Sequence, residues 1–165
     1  MPDSSTVLSV LPNGLPVAVC PMPHVESFTA GLWLRAGARH EPARLNGISH
    51  FLEHLVFKGT ARHSARAVSL GIESAGGEIN ASTASEFTHF FVTAPVRHWR
   101  KVCDILFDIY LHPRLAPEDI ELERGVIAEE IAWCHDDGEE RVHELVDGLV
   151  WPGHSMGRPV AGTAK

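Results

Sequence analysis

Five consecutive residues, His50-Phe51-Leu52-Glu53-His54, hold the densest chemistry in the chain. If they lie on a helix, His50 and His54 are one turn apart and Glu53 shares their face. Two imidazoles so spaced can bind one zinc ion, each through a neutral ring nitrogen. A neighbouring carboxylate can then take a proton from zinc-bound water as it attacks a carbonyl. A catalytic zinc site also asks for a third protein ligand. The run Glu121-Leu122-Glu123-Arg124-Gly125-Val126-Ile127-Ala128-Glu129-Glu130 is the natural donor. Glu123 and Glu130 are seven apart, hence on one helical face. One could ligate the ion and the other could orient a ligand from behind. Spacing does not choose between them, and Glu129 is a third option about one residue-step away.

The elements that must position these residues can be traced along the chain. Val7 to Val19 holds an Asn13-Gly14 turn between two β-rich stretches, a hairpin signal. Phe28 to Arg35 alternates as a third strand, and Gly37 to Arg44 reads as a polar connection. A helix is expected from Asn46, its cap, to Phe57, with Ile48, Phe51, Leu52 and Leu55 on its buried side. Ser64 to Ala75 forms a second helix, stopped by Gly76-Gly77. Glu78 to Ala84 and Phe87 to Thr93 are two more strands. Three helices follow: Pro95 to His112, Pro117 to about His135, and Glu139 to Val150. The order predicts an α+β fold, one mostly antiparallel sheet with helices packed on one face. Residues 1–165 are expected to form a single domain, with no linker dividing them.

Composition narrows the function classes. At 165 residues the chain can bury a real core, and 44% hydrophobic with 21% charged residues is ordinary for a globular protein. The net charge of -7 argues against nucleic-acid partners. No apolar run is long enough to span a bilayer, and Met1 to Val10 shows no export signal. Three dispersed cysteines, Cys20, Cys103 and Cys134, argue against a disulfide framework, which makes a cytoplasmic location the default expectation. Cys134, one turn beyond Glu130, is expected to be a buried or half-buried free thiol. The remaining nine histidines show no paired spacing with a carboxylate that marks a metal site. Trp33, Trp99, Trp133 and Trp151 are expected in core or edge packing.

His50 to Thr60 closely resembles the active-site stretch of the pitrilysin/insulinase-type peptidases, the inverzincins, especially the β subunit of mitochondrial processing peptidase and its bacterial relatives. Other segments agree in order: Leu11-Pro12-Asn13-Gly14-Leu15, Gly76 to Thr83 with Glu86-Phe87-Thr88, Glu123 to Ile131, and Gly157 to Thr163. The resemblance implies a zinc endopeptidase in which His50, His54 and Glu130 are ligands. It makes Glu53 the general base and Glu123 the carboxylate that supports the site. It also implies that Asn80, Ala81, Ser82 and Thr83 form an edge to which an extended peptide or unfolded segment adds as a strand. Family members use a second homologous domain or subunit to grip substrate, and their domain continues with a further helix and strand. The chain is therefore expected to be an incomplete catalytic domain. The alternative is a non-catalytic assembly subunit or inactive fragment of the same fold.

Overall fold

A computed structural model describes residues 6–163. Three strands form the central sheet: β3 (Ser27–Leu34), β4 (Glu78–Thr83) and β5 (Thr88–Pro95). The first hairpin, β1 (Val7–Val10) and β2 (Pro16–Val19), precedes them. The sheet order is β3-β5-β4, and each of the pairings is antiparallel. The α+β expectation and the helix-covered face both hold. The single sheet does not: among the described residues β1 and β2 pair only with each other, Val7 opposite Val19, in a separate ribbon. Its short strands are largely exposed on both sides, so no apolar face ties the ribbon to the sheet.

Strand alternation makes the sheet one-sided. Phe90, Val92 and Ala94 of β5 face inward, flanked by Phe28, Ala30, Leu32 and Leu34 on β3 and by Ile79 and Ala81 on β4. This face packs on α2 (Ala65–Glu73) through Val68 and Ile72. It also packs on α3 (Trp99–Leu111) through Val102, Ile105, Leu106 and Ile109. Ser64, expected as the first residue of this helix, is its cap instead, with its Oγ accepting from the Ala67 N–H at 3.2 Å. The helix expected from Pro95 begins instead at Trp99, after a short 3₁₀ turn at Val96–His98. The opposite sheet face carries Trp33 stacked on His89, with ring centroids 4.6 Å apart, and His89 stacked on Phe91. All four tryptophans are exposed, so none is in the core, while Trp33 does pack at the sheet edge, on Phe87 and His89. Trp33 lies on the open sheet face, Trp99 and Trp133 on helices, and Trp151 at the end of the last helix.

Three helices build the site region. α1 (Ile48–Val56) lies against β4 and against α4 (Pro117–Asp136), and α5 (Gly138–Val150) returns along α4. Only Leu55 and Val56 of α1 are buried. Ile48 and Leu52, expected inside, are exposed, because α1 meets the sheet near its C-terminal end. Asn46 is not the cap. Gly47 takes that place with φ +92°, and a Cβ there would come within 2.6 Å of the Ala161 carbonyl oxygen. Among the described residues no helix is long and apolar enough to cross a membrane.

Candidate metal centre

The site forms where α1 crosses α4. His50, Glu53 and His54 project from α1; Glu123 and Glu130 project from α4. The Nε2 atom of His50 lies 3.5 Å from Oε1 of Glu130, and the Nε2 atom of His54 lies 3.5 Å from its Oε2. Each carboxylate oxygen therefore faces one imidazole. The two rings meet edge to face, with centroids 4.7 Å apart. One donor atom from each residue falls within 4.8 Å of the others, a spread that a single ion could draw together. Two nitrogens and one carboxylate also match the donor chemistry of a zinc site with a position left for water. Glu129, by contrast, is exposed and outside this cluster. Cys134 is half-buried and also outside it.

Glu123 is buried behind the cluster. Its Oε2 lies 3.1 Å from Nδ1 of His54, so a proton on that nitrogen leaves Nε2 with its lone pair toward Glu130. The other oxygen is 2.5 Å from Nζ of Lys58. Lys58 escaped sequence reasoning because it follows the helix end, where helical phase no longer says which way a side chain points. Its place directly after the five-residue motif was the available signal.

Glu53 is half-buried and accepts a hydrogen bond from the Thr83 hydroxyl. Thr83 closes β4, and its Oγ1 also accepts from Thr88 Oγ1 at 3.4 Å. The edge strand thus ends at Glu53. Along β4, Asn80 and Ser82 face the open side of the sheet and Ala81 and Thr83 the helix side. The Ala81 N–H donates to Oδ1 of Asn80 at 2.8 Å.

Two buried carboxylates hold the frame. Glu41, in the segment read only as a polar connection, caps α1. Its Oε2 accepts from the Gly47 N–H at 2.7 Å and its Oε1 from the Ser49 N–H at 2.8 Å. Burial pushes its pKa up, but the bonds from Ser49, Gly47 and Asn46 prevail and leave it below the ordinary carboxylate value. Asp108 on α3 anchors the loop after α1, accepting from Thr60 Oγ1 at 2.7 Å and from Arg62 Nη1 at 3.3 Å. Nδ1 of His63 lies 2.9 Å from it, a histidine–carboxylate pairing that spacing had not shown. Its pKa is held down to about 2, first by the Thr60 bond and then by His63, against the opposing effect of burial.

Residues 17–164 match the family described as Insulinase (Peptidase family M16). The chain belongs to this peptidase family. Over 155 residues it is 39% identical to a Streptomyces coelicolor protein named an uncharacterized zinc protease, covering 94% of this chain and 34% of that one. Over 157 residues it is 37% identical to the mitochondrial-processing peptidase subunit beta of Lentinula edodes, covering 95% and 34%. It thus spans about a third of the length of these relatives. A protease from Helicobacter pylori superposes with a TM-score of 0.91 at 24% identity, over 98% of this chain and 39% of that one. A Pseudomonas fluorescens structure described as a peptidase M16 inactive domain gives 0.86 at 10% identity, over 95% and 38%. These two likenesses concern the fold alone.

Proposed function

We propose that this M16-family chain is the metal-binding part of a zinc-dependent endopeptidase that cuts extended peptides. The observation that carries this reading is the convergence of His50, His54 and Glu130 from two helices, with Glu53, the residue before His54, bonded to Thr83 at the end of an edge strand. The three would hold the ion through Nε2, Nε2 and a carboxylate oxygen. Bound zinc supplies Lewis acidity, which polarises a carbonyl and makes water a better nucleophile at neutral pH. The chain's own groups supply the rest. Glu53 would accept a proton at a carboxylate oxygen, a role supported by the Thr83 hydroxyl bond that holds that carboxylate in one orientation. Glu123 keeps the His54 proton on Nδ1. β4 is an edge of the described sheet, so a peptide adding there would run past Glu53 held by backbone hydrogen bonds, with little sequence demand. Asn80 to Thr83 are the residues that such a strand would meet.

A second homologous domain or subunit would complete the grip on substrate, in keeping with relatives about three times the length of this chain. The rival reading is a non-catalytic assembly subunit, as the fold occurs in a structure described as inactive. The presence of all four residues His50, Glu53, His54 and Glu130 favours the peptidase. The test is zinc content together with Glu53→Gln. The purified chain should hold about one zinc ion, and Glu53→Gln should keep it while peptide cleavage falls by roughly 10²–10⁴-fold. Cleavage is measured with the remainder of the protein or its partner subunit supplied. Cleavage by Glu53→Gln at the unsubstituted rate would remove Glu53 as the base. A folded chain without zinc would favour the assembly reading.

A further inference from the structure

We propose that Lys58 is a positioning residue of the metal centre, setting the orientation of His54 through Glu123. The inference rests on reading His50, His54 and Glu130 as the ligands. Glu123 has its side chain almost wholly out of solvent, and a carboxylate so placed is costly unless each oxygen is engaged. One oxygen meets Lys58 Nζ at 2.5 Å and the other His54 Nδ1 at 3.1 Å. The Lys58 contact is an ion pair without hydrogen-bond geometry, so the ammonium draws this oxygen toward itself by charge and biases the rotation of the carboxylate. That rotation decides whether the second oxygen meets the imidazole in line, and with it where His54 Nε2 points.

The backbone holds Lys58 firmly enough to do this. Its N–H donates to the Leu55 carbonyl at 3.1 Å, extending the last turn of α1. The next residue, Gly59, has φ +106°, and a Cβ there would approach the His63 carbonyl oxygen to 2.6 Å. The turn is then pinned on three sides. The Thr60 N–H donates to the His63 carbonyl at 2.7 Å and the Arg114 N–H to the Gly59 carbonyl at 2.8 Å. The third pin is the Thr60 hydroxyl, bonded to buried Asp108. Lys58 thus leaves a rigid corner between α1 and α3 and reaches α4, linking the three helices at Glu123.

The experiment compares Lys58→Met, Lys58→Gln and Lys58→Arg with the unsubstituted chain, reading zinc affinity by competition with a chromogenic chelator. Residues that orient a metal ligand typically contribute 10–100-fold to affinity, so Met and Gln should weaken zinc binding by about tenfold, and Arg should restore it to within about threefold. In the metal-free chain, the downfield proton signal of the His54 Nδ1–H bonded to Glu123 should persist in Lys58→Arg and vanish in Lys58→Met. Using Gln alongside Met keeps the comparison open should one of them fail to fold. Unchanged zinc affinity in both folded neutral variants would overturn the proposal, as would an Arg variant no better than Met. Absence of zinc binding by the unsubstituted chain would instead overturn the ligand reading, and this inference with it.

Discussion

Replacing Glu41 with alanine tests how the motif helix is held. The side chain is 7% exposed and serves two α1 amides, Gly47 at 2.7 Å and Ser49 at 2.8 Å. Loss of a side-chain cap costs about 1–2 kcal/mol, and stranding the second buried amide adds about 1–3 kcal/mol. We take a total of about 3 kcal/mol, which for a domain of this size lowers the thermal midpoint by roughly 6–12 °C. Glu41→Gln keeps one acceptor oxygen but loses the charge at the helix N-terminus, so about half that effect is expected. The assay is thermal unfolding followed by far-UV circular dichroism. It has a pH arm with a definite sign. Because the native pKa of Glu41 lies below its ordinary 4.5, its contribution is complete above that pH and is lost as pH falls through the lowered native value. The gap between the unsubstituted chain and Glu41→Ala should therefore narrow in acid. A midpoint unchanged to within about 1 °C would refute the capping argument, since even one lost cap costs more than that. A gap that widened below pH 4.5 would refute its electrostatic part.

Thr83→Val removes the hydroxyl that orients Glu53 while keeping the shape of the side chain. Peptide cleavage should fall by about tenfold, roughly the value of one hydrogen bond to a charged group, with zinc content unchanged. Equal cleavage would show that Glu53 does not need Thr83. Asp108→Asn should destabilise the chain at neutral pH, because Thr60, Arg62 and His63 lose a charged partner. The native pKa of about 2 against an ordinary 3.8 puts the aspartate's contribution above pH 3.8 and removes it as pH falls toward 2. Denaturation midpoints of the two chains should converge over that window, and parallel curves would sink the assignment.

Local periodicity made much of this protein legible. The alternation of Phe28 to Arg35 and of Glu78 to Thr93, the Gly76-Gly77 stop, Pro117 and the Asn13-Gly14 turn all act within a few residues of themselves. The elements they imply are those observed, to within a few residues at their ends. The same local rule put His50, Glu53 and His54 on one face, since steps of three and four residues bracket one helical turn. Periodicity could not decide between Glu123 and Glu130, because residues seven apart share a face and phase carries no information on depth. The offset of α4 along α1, set by the side chains packed between them, places Glu130 at the two Nε2 atoms and Glu123 at Nδ1 of His54. The same holds for Glu41, Lys58 and Asp108. Each meets its partner across a turn or between elements: Glu41 reaches residues six and eight away, Asp108 reaches 48 away and Lys58 reaches α4. Their identities follow from which charges a packed interior can neutralise, and only the tertiary structure supplies that.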